Sequence, residues 1–313
     1  MTKAGGNIIT VNLNPCIDWQ YSVPGFTFGG MNRVLHTRQD ASGKGMNVCM
    51  ALKNLGLDPL CTGFNFTENG VKLTERLDAL EIRHNFIEVA GAVRVNIKLY
   101  EESSGVMTEL NQPGAFVDEH AQEKLADYIS RTGGQFLILS GSRPAGVSAI
   151  FYAHLCKSWP GKVFLDTEGE AFRLAVNTAP PFAVKPNLFE LESTFGVELK
   201  SPREIADFCR RKLVDKGICV VCCSMGADGA VLVTDKLAYF CPVLDIEAKS
   251  VQGAGDAMVA GMVYATYMGT PTSELLPTAM AAAAASVIQD GTEMCTREGF
   301  DEMLKKVPNI KPL

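Results

Sequence analysis

Gly253-Ala254-Gly255-Asp256-Ala257-Met258-Val259-Ala260-Gly261 sets two glycines and a carboxylate at the mouth of a strongly apolar helical run. Glycine lets a ligand approach the backbone closely. The first turn of a helix aims unpaired N–H groups and a positive dipole end at whatever lies there, so Gly253, Ala254 and Gly255 are a candidate anion hole. Asp256 beside it can accept the proton of an attacking hydroxyl, the base role in phosphoryl transfer to alcohols, or merely favour the dipole. A dinucleotide fingerprint does not fit: the third glycine of GxGxxG falls at Met258, and the segment lies late in the chain rather than in an early βαβ unit. A P-loop does not fit either, because Gly43-Lys44-Gly45 is followed by Met46, which has no hydroxyl for magnesium.

Outward from that turn, apolar runs of strand length alternate with amphipathic helical stretches: Ile8 to Leu13, Phe136 to Leu139, Val163 to Leu165 and Ile218 to Cys223. This alternation predicts an α/β fold with a mostly parallel sheet covered on two sides. Ala121, Leu125, Tyr128 and Ile129 mark one helical face, and Ser201-Pro202-Arg203-Glu204 opens another helix with a capping box and Pro at its first position. Arg94, Asn96, Lys98 and Tyr100 alternate with Val95, Ile97 and Leu99, a strand with one polar face; Ser103-Ser104-Gly105 turns it and Val106 to Leu110 returns. With an extended piece near Trp19 to Leu35, this hairpin predicts a small β lid from about residues 15–37 and 91–112, projecting from one domain that spans residues 1–313. The apolar side of such a lid needs a partner, either the domain or a second subunit.

A chain of 313 residues, 47% hydrophobic and 20% charged, can bury a large core. Its net charge of -6 argues against a nucleic-acid binder. No run is long and apolar enough to span a membrane, and the start, MTKAGGNIITVNL, lacks a basic leader followed by an apolar stretch, so a cytoplasmic location is expected. Among ten cysteines only Cys219 and Cys222 have a ligating spacing; on a strand they would point to opposite faces, which predicts core packing rather than a zinc site.

The GAGD turn takes its place in a series. Leu13-Asn14-Pro15-Cys16-Ile17-Asp18, Ser42-Gly43-Lys44-Gly45-Met46-Asn47-Val48, Ser140-Gly141-Ser142-Arg143-Pro144-Ala145-Gly146, Lys185-Pro186-Asn187 with Glu190, and Ser224-Met225-Gly226-Ala227-Asp228-Gly229 precede it in that order. Almost end to end, the chain resembles the ribokinase-like, PfkB-type carbohydrate kinases. The opening LNPxxD, GKGxNV and Thr108-Glu109-Leu110-Asn111 are most similar to the branch containing 1-phosphofructokinase and tagatose-6-phosphate kinase.

The resemblance implies a ribokinase-like three-layer fold, Mg2+ with ATP as donor, room for a monovalent cation, a small sugar phosphate as acceptor and a homodimer joined through the lid. It casts Asp256 as base, with Gly253, Ala254 and Gly255 as the anion hole. Asp18, Gly43, Lys44 and Asn47 would hold the sugar; Arg94 would clamp its existing phosphate, with Ser140 and Gly141 donating to it. Lys185, Asn187, Ser224, Gly226, Gly229 and Gly255 would line the nucleotide, and Asn187 and Glu190 would organise magnesium, in part through water. Blander roles stand beside these: an Asx turn for Asp18, a helix cap for Asn47, a solvated side chain for Lys98, plain helix packing for Met280 to Ala285. Departures from the family pattern are Val251-Gln252 where a Thr or Ser commonly precedes GAGD, Ser42 for the first Gly of GGKG, and Arg143 for the Leu of SGSLPPG, which suggests an added phosphate contact. A catalytically weak ATP- or sugar-binding sensor would keep Asp18 and Arg94 without turnover. A nicotinamide oxidoreductase would need the fingerprint that is missing.

Overall fold

Ile8–Asn12 and Phe136–Ser140 are buried along their whole length. A strand with no polar face must be covered on both sides, which dictates a sheet sandwiched between helices. The computed structural model describes residues 8–313; the leader reading of the first seven residues lies outside them. Strands are β1 (Ile8–Asn12), β2 (Cys16–Val23), β3 (His36–Ser42), β4 (Pro59–Glu68), β5 (Arg83–Ala92), β6 (Arg94–Glu101), β7 (Val106–Asn111), β8 (Phe136–Ser140), β9 (Lys162–Asp166), β10 (Ala183–Val184), β11 (Val220–Ser224), β12 (Ala230–Val233), β13 (Ala238–Cys241) and β14 (Lys311–Pro312). Helices are α1 (Lys44–Asn54), α2 (Val71–Ala79), α3 (Glu119–Thr132), α4 (Phe151–Ser158), α5 (Gly169–Thr178), α6 (Leu188–Phe195), α7 (Pro202–Lys212), α8 (Ala254–Met268), α9 (Thr272–Val287) and α10 (Arg297–Lys306).

The main sheet runs β14-β13-β12-β11-β10-β9-β8-β1-β4-β5, parallel from β11 to β5 with an antiparallel flank at β12 to β14. Helices α1, α8, α9 and α10 pack together as one cover, and α4, α5 and α6 as another, giving a three-layer α/β architecture of the kind the resemblance implies. The order places a switch point between β1 and β8: the chain leaves β1 toward β4 and β5 on one side and later builds β8 to β11 on the other. Open sheets bind ligands outside the carboxyl ends of strands at such a point. Asn14, Ser140 and Asp166 lie at those ends.

The second sheet runs β3-β2-β6-β7 and is the lid. Its extent differs from the expected one: β3 continues to Ser42, residues 24–35 connect rather than pair along their length, and residues 91 and 92 finish β5 of the main sheet. Register sets Asp18 opposite Asn96 and Gln20 opposite Lys98 on one face, and Trp19 opposite Ile97 and Tyr21 opposite Leu99 on the other. The caps follow the sequence: Ser201 accepts from the Glu204 amide with Pro202 at the helix start, and Ala121, Leu125 and Ile129 are the buried stripe of α3. Cys222 is buried in β11, but Cys219 is exposed just before that strand, so core packing holds for one thiol of the pair.

Candidate active site

Gly253 starts α8 with φ 73°, a left-handed conformation that favours glycine, and a methyl there would come within 2.4 Å of Met294 Cε. The amides of Gly255 and Asp256 make no hydrogen bond among the described residues, whereas the Ala254 amide turns back to the Val251 carbonyl at 3.5 Å. The turn therefore offers two free amide donors. Asp256 is buried and accepts from Asn47 Nδ2 at 2.8 Å, while Asn47 Oδ1 accepts from Ser42 Oγ at 3.3 Å. Asn47 lies inside α1 and is not its cap, which is Gly43; its side chain joins α1 to α8. Burial, aided by the charge of Asp166, raises the Asp256 pKa to about 7, against the pull of Lys44 and the Asn47 hydrogen bond. A carboxyl so placed is half ionised near neutrality, which suits a group that must take up a proton and then release it.

Asp166, at the end of β9, is the site residue the sequence reading passed over. It is 1% exposed and lies 3.3 Å from both Lys44 Nζ and Lys185 Nζ. Burial pushes its pKa up, but the two lysines win and the carboxylate is held below its usual range; Lys44 is driven upward chiefly by Asp166, and Lys185, which burial pulls down, still rises because Asp166, Glu190 and Asp256 act together. The signal was a carboxylate closing a buried parallel strand. Lys44 also lies 3.7 Å from Glu190 Oε1. Asn187 and Glu190 form a reciprocal capping box at α6, with bonds of 2.7 and 2.9 Å. This commits Asn187 Oδ1 and Glu190 Oε2 and leaves Glu190 Oε1 facing the lysine.

On the lid face, Asp18 Oδ1 accepts from Asn96 Nδ2 at 2.9 Å and Asp18 Oδ2 lies 2.9 Å from Lys98 Nζ. Lys98 is thus buried and paired, the reverse of a solvated lysine. Arg94 is anchored to the Asn96 side chain and to the carbonyls of Gln112 and Asn14 at 3.3 to 3.4 Å, which leaves Nε without a partner. With Asn12, Asn14, Lys44, Ser140 and Gly141 it lines a cavity of about 170 Å³ at the switch point. Ser140 Oγ and Asn12 Nδ2 are likewise buried without partners. Buried donors are rarely left unpaired, and three on side chains that line one small cavity beside a lysine are a set suited to an oxyanion. Arg143 is not among the residues lining this cavity; it donates to the Val147 carbonyl at 2.5 Å. The glycines of the GKG turn answer first to their own fold, since a methyl on Gly43 would strike Asn12 and one on Gly45 the Val11 carbonyl.

Across Lys44 lies a second cavity, about 610 Å³, lined by Lys185, Asn187, Glu190, Ser224, Gly226, Gly253, Gly255 and Asp256. It continues, through Ser224, Gly226 and Gly255, into an apolar cavity of about 580 Å³ bounded by Gly229, Ile246, Met258, Met280, Ala283 and Ala284. Gly229 is required there, because a methyl would lie 2.1 Å from the Cys241 carbonyl. The Met280 to Ala285 run is therefore part wall and part core. A polyanion with a flat apolar end fits this second space: the cations and free amides meet its charge, and the alanines its ring. Among the described residues no three His, Cys, Asp or Glu cluster as a metal site, so a divalent cation here would draw most of its ligands from phosphate oxygens and water, with Glu190 Oε1 the available carboxylate.

Comparison with known proteins agrees. The family model described as "pfkB family carbohydrate kinase" matches residues 11–298. The chain is similar to the 1-phosphofructokinase of Rhodobacter capsulatus, 36% identical over 85% of this chain and 86% of that one, and to that of Bacillus subtilis, 34% identical over 96% and 98%. In fold it is similar to Escherichia coli phosphofructokinase-2 solved with substrates and products (TM-score 0.90, 24% identity, 96% and 98% covered) and to Thermotoga maritima ribokinase (TM-score 0.77, 21% identity, 95% and 99% covered). A buried carboxyl beside free helix-end amides, with a small polar cavity on one side and a larger, partly apolar cleft on the other, accords with these matches, and the chain belongs to the pfkB family of carbohydrate kinases.

Proposed function

We propose that this kinase phosphorylates the free primary hydroxyl of a ketohexose phosphate, with fructose 1-phosphate going to fructose 1,6-bisphosphate and Mg-ATP as donor. The observation that carries the reading is the small cavity with its unpaired donors on Arg94, Ser140 and Asn12, separated from Asp256 only by Lys44. A neutral sugar would leave those donors unsatisfied, whereas a phosphate would pair them. Asp18, held by Asn96 and Lys98, would accept sugar hydroxyls and fix the ring. The acceptor oxygen would lie against Asp256, which takes its proton as the Gly255 and Asp256 amides and Lys185 meet the transferring group. Magnesium, carried in on the nucleotide and met by Glu190, with Asn187 reaching it through water, would neutralise phosphate oxygens. The names of the Rhodobacter and Bacillus relatives favour fructose 1-phosphate over tagatose 6-phosphate or fructose 6-phosphate.

Two coarser features belong to the same reading. The outer lid face, with Trp19, Tyr21, Ile97 and Leu99 beside exposed Phe28, Met31 and Leu110, is the kind of surface a second copy would cover, which supports a homodimer. No helix among the described residues is long and apolar enough to cross a membrane, and a cytoplasmic location with monovalent-cation dependence fits the family. The test is ADP release with Mg-ATP against the three ketose phosphates and unphosphorylated hexoses, beside Asp256→Asn. Turnover on one ketose phosphate, cut roughly 10²- to 10⁴-fold by the substitution, is expected. ATP binding without turnover on any of them would sink the assignment and favour a sensor.

A further inference from the structure

Gln252, immediately before the Gly253 turn, belongs with Val251 to the pair that stands where the resemblance implies a Thr or Ser, and its side chain is engaged: Gln252 Oε1 accepts from Lys98 Nζ at 2.5 Å. Lys98 belongs to the lid, its side chain is 7% exposed, and its other contact is Asp18 Oδ2 at 2.9 Å. A buried ammonium carries three donors, and each acceptor withdrawn leaves part of its charge unmet. Gly253 is thereby held from two directions: Met294 backs its α-carbon, and the preceding residue is tied to the lid. The described hydrogen bonds thus run from Asn96 and Asp18, through Lys98 and Gln252, to the residue that sets the start of α8.

We propose that Gln252 is a positioning residue that couples the two substrates, so that seating a sugar on Asp18 is transmitted through Lys98 to the alignment of the Gly253–Asp256 turn. This rests on the reading of Asp18 as the sugar's anchor. In the absence of a sugar the turn is less well ordered, and phosphoryl transfer to water is disfavoured with it. Gln252 touches neither substrate; it acts through Lys98.

Gln252→Leu keeps the approximate size and removes the acceptor, while Gln252→Glu keeps an acceptor for Lys98. For the leucine variant we expect kcat at saturating sugar phosphate and Mg-ATP to fall about tenfold, equivalent to about 1.4 kcal/mol, with KM for ATP unchanged. A larger share of the ATP consumed should go to water, and the glutamate variant should restore transfer. Hydrogen exchange reads the coupling without turnover: fructose 1-phosphate alone should slow exchange of residues 250–257 in the wild type and not in Gln252→Leu. Equal protection in both proteins, an unchanged kcat and partition, or equal losses in the leucine and glutamate variants with matching falls in Tm would overturn the coupling. A wild type that neither binds nor phosphorylates any ketose phosphate would instead overturn the acceptor assignment beneath it.

Discussion

The two sides of the cleft are built from different materials. On the sugar side, Asp18, Asn96, Lys98, Arg94 and Asn47 are long or polar side chains, mostly buried, each bonded to another across the lid or between helices. On the nucleotide side the surface is largely backbone: glycine turns at Gly226, Gly229, Gly253 and Gly255, helix-end amides, and the small side chains of Ala283 and Ala284. A net of interlocked polar groups is rigid and discriminating, because any ligand that fails to satisfy it leaves buried donors unpaired. Backbone and alanine walls read shape and charge, and tolerate change so long as space is kept. On the proposed reading, acceptor choice would belong to the lid side, and the other side would offer a general nucleotide seat.

The comparison breaks most sharply at Arg94. Arg94→Ala should lower kcat/KM for the phosphorylated sugar at least a hundredfold while leaving KM for ATP within about twofold, since a charge-assisted bond to phosphate is lost along with the packing of Asn96. Equal losses for both substrates would show that the two sides are not separable. Next comes the cost of keeping Asp256 ionised in a buried place. Its folded pKa of about 7 exceeds the ordinary 3.8, so the folded state binds the extra proton between those values and loses stability as pH rises through that window. Asp256→Asn should therefore be more stable than the wild type at pH 8, by on the order of a few kcal/mol and with a higher Tm, with the difference gone below about pH 4. In the same window, kcat/KM of the wild type should climb with pH toward a plateau above about 7; a flat profile from pH 5 to 8 would contradict the base role. The smallest effect belongs to the nucleotide wall: Ala284→Leu should raise KM for ATP about five- to tenfold by filling the apolar cavity, with KM for the sugar unchanged. A reversed split would mean the cavity is not where the nucleotide's ring lies.

Legibility followed the same division. Local features were readable in the sequence: fully apolar runs became β1, β8 and β9, the Ser201 cap and the α3 stripe fell where spacing placed them, and the glycine turn with Asp256 opened a helix. Arg94 and Ser140 could be referred to one phosphate because the family pattern names them, and the structure does bring them to one cavity. What escaped were roles made by distant pairing. Lys98 is buried only because Asp18 and Gln252 come from far along the chain to meet it. Asp166 looks like any strand end until Lys44 and Lys185 close on it. The lid's boundary was misjudged at Ser42 because His36 to Ser42 has little apolar alternation and pairs through its backbone with β2.

The sharing of Asp166 by two lysines has a consequence in charge balance. Around one cavity Lys44 and Lys185 are set against Asp166, Glu190, Glu192 and Asp256, so the side chains there sum to a formal charge of -2 with Asp256 ionised, and to -1 with it protonated. The cleft is thus not an electropositive trap for bare phosphate; its lysines are already spoken for. A triphosphate arriving alone would meet helix-end dipoles and lysines whose charge Asp166 and Glu190 already offset, whereas one that brings a divalent cation arrives with half its charge offset and a new partner for Glu190. Nucleotide without metal should therefore be a poor competitor, turned away by electrostatics rather than by shape.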